Sequence, residues 1–441
     1  MKKDQTFYVP VLCMIFLIGL IALHQLPSGT LFGYQLKTIH MFSDIEKDKE
    51  PEKIVFIPVV KPKEEIRCPK GQTCFEDYSE NSDLFQNLFT SLNSINKGEK
   101  VRIAFFGDSF IEGDVLCGDF RDLLQKKFGG EGVGWVPITS AVAMFRRTIK
   151  EDFNGFKNFD VVHNPKEKVP YPPSGECAVP QANNYVNYYS TEFSPRTSLL
   201  PELRIFYQSK KSLDMRVISD DTTQNVNLPQ GGDIQAKAVT YAPSKKIKLS
   251  FTESPGTYLY GVSFEGGKGV YVDNFSLRGN AGFSLLSSKP EMHEALNRIQ
   301  EYKLIILQYG INAINAKTTK LDWYARMMNK VIAEVKEKYP QAAILLISVG
   351  DRSHKVNGEY KTMPSVKLMV EAQRAIAAEN KIAFWSMYDA MGGENSIITY
   401  TKSKPPKANL DYIHLNFLGG EDIANLLVKS LLFEYEKVEN K

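Results

Sequence analysis

The feature that most constrains this chain is a change of texture along its length. Short apolar runs alternate with amphipathic stretches over residues 84–145. The same alternation returns after Gly269, and between the two, over residues 146–262, helical periodicity fades. VRIAFF at 101–106 ends at Gly107 and suits a buried parallel strand. Leu84, Leu88, Leu92 and Ile95 before it have helical spacing, and DFRDLLQKKFGG after Gly118 reads as a helix stopped by Gly129 and Gly130. Later, KLIILQYG at 303–310, AAILLISVG at 342–350 and KIAFWSMYD at 381–389 read as strands. Helices are expected over 321–340, 363–380 and about 419–437. Such alternation implies a parallel sheet with helices on both faces. The middle stretch carries β-prone runs instead: LRIFYQ, MRVIS, AVTYA, KIKLSF and TYLYGVSF, separated by turn signals. That spacing predicts an all-β sandwich inserted into the α/β domain.

Composition removes several function classes. In 441 residues, Lys plus Arg number 54 and Asp plus Glu 51, a net charge of +3. So small a charge gives no basic field for nucleic acid. With 43% hydrophobic and 24% charged residues the chain is neither disordered nor polytopic. HExxH and GxxxxGK[ST] are absent, so zincin and P-loop readings lack their motifs. The five cysteines are too few for a disulfide-built fold.

At the start, Lys2 and Lys3 precede an uncharged apolar run over residues 7–23. The run is at the short end of what crosses a hydrocarbon core. No clean small-x-small site follows, since Leu23 and His24 succeed Ala22, so the run reads as an uncleaved signal anchor. Positive residues ahead of it predict the body on the outer side of the inner membrane, in the periplasm. Cys13 follows Leu12, not the small residue of a lipoprotein signal, and reads as a buried apolar residue. Export permits disulfides. Cys68 and Cys74 could close a small loop, with Cys117 and Cys177 left over and the pairing open. The expected organisation is an anchor over 1–30, a stalk over 31–74, an α/β domain built from two segments, 75–145 and 265–441, and a β insertion over 146–264.

In open α/β sheets, ligands gather at the carboxyl ends of strands. Four polar groups fall there: Gly107-Asp108-Ser109-Phe110, Arg278-Gly279-Asn280, Asn312 at the end of QYGIN, and Asp411-Tyr412-Ile413-His414. Taken singly these are a helix cap, a turn, another cap and a structural histidine. It is the ordered set that has weight.

GDSF, RGN, QYGIN and DYIHL resemble, in order, the four blocks of the SGNH (GDSL-like) hydrolases over about 75–145 and 265–441. GDSFIEGD, GGEGVGWVP and AFWSMYDAMGG are similar to the branch of bacterial peptidoglycan and polysaccharide O-acetylesterases and O-acetyltransferases. That branch often carries an inserted carbohydrate-binding-like β domain. The resemblance implies an SGNH-type, flavodoxin-like parallel sheet. It implies Ser109 as nucleophile, His414 as its base and Asp411 as the group that orients His414. It places the oxyanion on the backbone N–H groups of Ser109 and Gly279 and the side-chain amide of Asn312. No cofactor or metal is required. The expected substrate is an acetylated glycan or peptidoglycan, and a membrane acyl donor protein enters only if the acetyl group passes to a sugar hydroxyl instead of water. An inert carbohydrate-binding scaffold is the alternative from another class, and a lipase or thioesterase could use the same three residues.

Some neighbours are read as structural. Asp108 is a hydrogen-bonder and not the triad acid, Trp385 is core, and Trp135, in the Gly-rich loop after the first helix, is read as packing ahead of the alternative that it lines a sugar site. His163, His293 and His354 are incidental, and GGKG at 266–269 is a turn. Ser276, Arg278 and Asn280 are unranked candidates for substrate contact. Phe110 stands where Leu or His is usual, and Ala313 where Asp or Glu is common.

Overall fold

The computed structural model describes residues 68–80, 83–220 and 222–439, with short pieces at 10–12, 14, 16, 30–31 and 34–35. The chain divides into two units, Met1–Lys53 and Ile54–Lys441. In the first, Thr30–Leu31 pairs with Tyr34–Gln35. Most of the apolar run at 7–23, and residues 36–67 of the expected stalk, lie outside the described residues. Among the described residues, no helix is long and apolar enough to cross a membrane.

The second unit holds a six-stranded sheet. Its strands are β1 (Glu76–Asp77), β2 (Lys100–Gly107), β3 (Gly269–Ser276), β4 (Leu304–Gln308), β5 (Ala343–Ile347) and β6 (Ala383–Trp385), in spatial order β3-β2-β4-β5-β6-β1. All neighbours are parallel except the short β1, which runs antiparallel to β6. Every residue of β4 and β5 is buried, which requires cover on both faces. Helix Cys117–Phe128 packs with helix Phe417–Glu439, and Pro290–Gln300, Asp322–Lys338 and Pro364–Glu379 pack in succession. Among the five parallel strands the order is second-first-third-fourth-fifth. Connections therefore leave β2 and β4 in opposite directions, and a crevice opens between their carboxyl ends.

The insertion enters the crossover between the helix after β2 and the start of β3. Its nine antiparallel strands begin at Glu131, ahead of the texture change near residue 146. They form one hydrogen-bonded, branched network rather than two separate sheets. A single register pair, Leu259 opposite Ala178, joins strand Thr257–Gly266 to strand Glu176–Ser190. The network encloses its own core, with Val186, Tyr188, Ile205, Leu249 and Phe264 fully buried. Its other side belongs to the α/β core. Trp135 lies on strand Glu131–Val136, not in a loop, and packs on Phe206 and on Phe275 of β3.

A disulfide closes Cys68 to Cys74. The Thr73 carbonyl inside that loop accepts from the Trp385 indole N–H at 3.0 Å and from the Ser430 hydroxyl, tying the loop to β6 and to the last helix. Cys117 and Cys177 are buried free thiols, pushed up to about 12 by burial.

Candidate active site

Strand β2 ends at Gly107, and Ser109 follows it at the crevice mouth. Ser109 Oγ lies 2.9 Å from His414 Nε2. His414 Nδ1 lies 2.7 Å from Asp411 Oδ2. The other oxygen, Asp411 Oδ1, accepts from the backbone N–H groups of Ile413 at 2.9 Å and His414 at 3.1 Å. One carboxylate thus folds its own loop and turns the imidazole toward Ser109, which is what a two-residue gap between Asp and His allows. Burial pushes Asp411 up, but the His414 imidazole and these N–H groups outweigh it and hold the carboxyl below its usual range. The loop has outside support. Tyr412 sits at φ +57°, its carbonyl accepts from Ser353 N–H at 3.0 Å, and its ring stacks on Tyr360 at 3.8 Å. Phe110, fully buried, packs 5.8 Å from the His414 ring.

Asp108 is enclosed by protein. Its Oδ1 accepts from Phe110 N–H at 3.1 Å and its Oδ2 from Asn312 Nδ2 at 3.2 Å. Burial, only partly offset by these donors, pushes it up to about 7. Asn312 follows β4, on the far side of the crevice from Ser109. Its amide also donates to the Asn280 carbonyl at 3.0 Å. Both Nδ2 hydrogens are therefore engaged by protein oxygens. Gly279 holds φ +77° in the turn after β3, and a Cβ there would meet only Val162, at 3.9 Å. Backbone conformation, not crowding, calls for glycine here.

The scan against family models matches none, and no curated protein matches. Solved structures do. One is a peptidoglycan O-acetylesterase, 20% identical with TM-score 0.67, covering 82% of this chain and 99% of its own. The chain has the fold of that esterase. The resemblance carried by the four blocks thus holds at the level of the fold. A family two carbohydrate esterase from Cellvibrio japonicus also matches over 68% of this chain and 98% of its own. At 9% identity and TM-score 0.27, it adds no weight.

Within that fold the remaining candidates separate. Asn280 is buried and internal: its amide donates to Ser284 Oγ and its Oδ1 accepts from Gly282 N–H at 2.8 Å. Arg278 is exposed and donates through Nε to Glu112 at 2.9 Å. Ser276 lines a cavity of about 320 Å³ between β3, the turn after Ser109 and the insertion. His293 is structural; burial drives it down to about 4, and its ring contacts Tyr339 Oη and the Leu285 carbonyl. His163, read as incidental, lines that cavity with Nδ1 2.8 Å from Asp160 Oδ1. Asp160, Ser174 and Glu176 join it there and carry no sequence signal, because no motif surrounds them. Among the described residues, no cluster of His, Cys, Asp or Glu is placed to hold a metal ion.

Chemically, the Ser–His–Asp chain can take the proton from a serine hydroxyl as that oxygen attacks a carbonyl. The negative charge that develops there needs donors, and the Asn312 amide across the crevice has both of its hydrogens engaged by Asp108 and Asn280.

Proposed function

We propose that this chain is an exported, membrane-anchored serine esterase that removes O-acetyl groups from peptidoglycan or another acetylated polysaccharide. The observation that carries the reading is the 2.9 Å and 2.7 Å relay from Ser109 through His414 to Asp411, held at the switch point of the sheet. The glycan class is supported by the fold shared with a peptidoglycan O-acetylesterase. The apolar run at 7–23 behind Lys2 and Lys3 supports export and anchoring.

Ser109 Oγ attacks the acetyl carbonyl while His414 Nε2 takes its proton. The Asp411 carboxylate stabilises the imidazolium that forms. The tetrahedral oxyanion takes hydrogen bonds from the Ser109 and Gly279 N–H groups. It competes with the Asn280 carbonyl and Asp108 for the Asn312 amide. Collapse expels the sugar oxygen, which takes the proton from His414 and leaves acetyl-Ser109. Water, deprotonated by His414, then attacks the acetyl group, and acetate leaves as Oγ regains its proton.

The test incubates the purified chain with a chromogenic acetyl ester, with and without an oligosaccharide acceptor, and follows acetate and acetylated sugar by mass spectrometry. Acetate release that vanishes in Ser109→Ala is expected. Equal rates in the two proteins would remove the triad from this reading. Acetyl groups appearing on the oligosaccharide at the expense of acetate would make the chain a transferase.

A further inference from the structure

The cavity at the junction of the insertion and the α/β layers is built with an excess of acceptors. Its volume, about 320 Å³, is at the lower end for ligand pockets, roughly 300–1,000 Å³. Glu112, Asp160 and Glu176 line it. A fourth carboxyl, Glu151, is 1% exposed and faces Ser140 and Arg146 of the wall, with no well-formed hydrogen bond to either oxygen among the described residues. Asp160 and Glu176 stand directly opposite each other in the pairing of strands Ile149–Asp160 and Glu176–Ser190. Like charges so placed destabilise a sheet. Two of these carboxyls already have partners in the same wall, Glu112 in Arg278 and Asp160 in the His163 ring, while Arg146 is held by Asp114. Glu176 makes no ion pair among the described residues.

A second observation points the same way. Ser174 Oγ and Asn274 Oδ1 are buried without a hydrogen-bond partner among the described residues, and both residues belong to the wall of the cavity. Ser174 is 8% exposed and Asn274 5%. A buried polar atom left unpaired costs about 1–3 kcal/mol, so two in one wall need a reason. Asn274 cannot turn away, because its Nδ2 donates to the Ile111 carbonyl at 2.8 Å and to Asp114 Oδ1 at 2.7 Å. Its Oδ1 is therefore a fixed, unpaired acceptor within the wall. The matching ligand is a donor without an acceptor that carries positive charge. A primary ammonium has three N–H donors and no acceptor; an N-acetylated amine has one donor, a carbonyl and no charge.

We infer that this cavity is a subsite for a primary ammonium group of the ester-bearing polymer, held by Glu176, with Ser174 Oγ and Asn274 Oδ1 as the unpaired acceptors of the same wall. The inference deepens the esterase reading and rests on it for the word substrate. Two sources share this chemistry: a de-N-acetylated amino sugar in a glycan strand, and the side-chain amine of a peptide stem. Burial first, then the charges of Asp160, Glu151 and Glu112, push Glu176 up to about 8. The empty site therefore holds a proton at neutral pH and releases it as the ammonium enters. For an amine that stays charged over this range, such as a lysine side chain, binding tightens as pH rises toward 8.

The test is titration calorimetry on the whole chain at pH 6, 7 and 8, in two buffers of different ionisation enthalpy. The probes are tetra-glucosamine, tetra-N-acetylglucosamine and the dipeptide lysyl-alanine. At least one amine is expected to bind about tenfold or more tighter than tetra-N-acetylglucosamine, with proton release at pH 7. Tetra-glucosamine as the binder assigns the amino sugar, and lysyl-alanine the peptide amine. Glu176→Gln, checked for an unchanged melting curve, is expected to abolish the preference. The inference is overturned if the acetylated sugar binds as well as the amines, if neither amine binds, or if the preference survives in Glu176→Gln. The wild-type arm decides even where the variant does not fold. Acetyl-ester hydrolysis by wild type and Ser109→Ala is run in parallel. Loss of Ser109 dependence there would remove the esterase while leaving an ammonium site standing, and the calorimetric failures would remove the site while leaving the esterase.

Discussion

Asp411→Asn separates two roles that one carboxylate combines. Oδ1 accepts from the Ile413 and His414 N–H groups, and Oδ2 faces His414 Nδ1 at 2.7 Å. Asparagine keeps an oxygen for the two N–H groups, so the loop keeps its turn. It sets an NH₂ opposite Nδ1. That nitrogen must then accept, and the ring proton moves to Nε2, where it faces Ser109 Oγ and blocks proton uptake. The lost charge can be sized. Unit charges about 4 Å apart interact by about 1 kcal/mol in water and about 4 kcal/mol at an effective dielectric near 20. Asp411 and His414 side chains are 42% and 37% exposed, so the value lies between, about 2–3 kcal/mol. At about 1.4 kcal/mol per decade this is roughly 30- to 150-fold in kcat, and the wrong tautomer brings the loss to about 10²–10³. A buried triad acid loses about 10⁴. The half-open site should lose less. The assay is kcat on a small acetyl ester across pH 5 to 9, with circular dichroism to show that the fold is kept. A loss under about threefold would refute the orienting role of Asp411, and a loss as large as that of Ser109→Ala would refute the exposure argument.

Three further outcomes follow from the same geometry. Asp114→Asn leaves Arg121, 1% exposed, without its charge partner, and should cost about 3–5 kcal/mol in thermal unfolding; an unchanged melting temperature would count against Asp114 as a clamp between the helix after β2 and the insertion. Glu151 is pushed up to about 8 by burial, so the folded chain keeps a proton there that the unfolded chain has shed from about 4.5 upward. Its contribution to stability therefore falls as pH rises through that window, and Glu151→Gln should raise the melting temperature more at pH 8 than at pH 5, whereas a pH-independent difference would refute this. Gly279→Ala has room for its Cβ but needs a residue at φ +77°, which costs about 1–2 kcal/mol. It should lower kcat by about tenfold or more with little change in KM, and an unaltered kcat would take the Gly279 N–H out of the oxyanion site.

The α/β domain is legible in the sequence because its buried strands are continuous apolar runs and its motif residues lie at their carboxyl ends. Ser109, Asp411 and His414 are expected together and stand together. The insertion is less legible, for physical reasons. Strand Glu131–Val136 looks like a loop because it is rich in glycine. Yet a Cβ on Gly134 would fall 2.8 Å from Asp273 Oδ1, so the residue is there to let the strand press against β3. The long strands Ile149–Asp160 and Glu176–Ser190 carry Asn and charged residues. A register shift between Asn154 and Phe156 breaks the alternation that would reveal them. Asp160 and Glu176 are separated by a long excursion and meet only through strand pairing, which no local pattern encodes. The engagement of both Asn312 amide hydrogens is equally out of reach, since it depends on Asn280 and Asp108 arriving from two other strand ends.

The insertion is better regarded as a wall of the site than as a tethered module. Asp114, the last residue of GDSFIEGD, is fully buried and accepts from Arg121 Nη1 and Arg146 Nε at 3.0 Å each, from Asn274 Nδ2 at 2.7 Å and from Thr148 Oγ1. Those groups come from the helix after β2, from the start of the insertion and from β3. Arg121 and Arg146 together hold the Asp114 carboxyl far below its usual range against the pull of burial. Asp273, next to Asn274, accepts from Trp135 N–H at 2.9 Å and from Gln300 and Tyr302. An α/β domain stripped of residues 131–266 would leave Phe275 without Trp135 and Asp114 with half its donors. The motif GDSFIEGD therefore does two things within one turn of chain. It presents Ser109 to His414, and five residues later it clamps the insertion whose carboxylates line the neighbouring cavity.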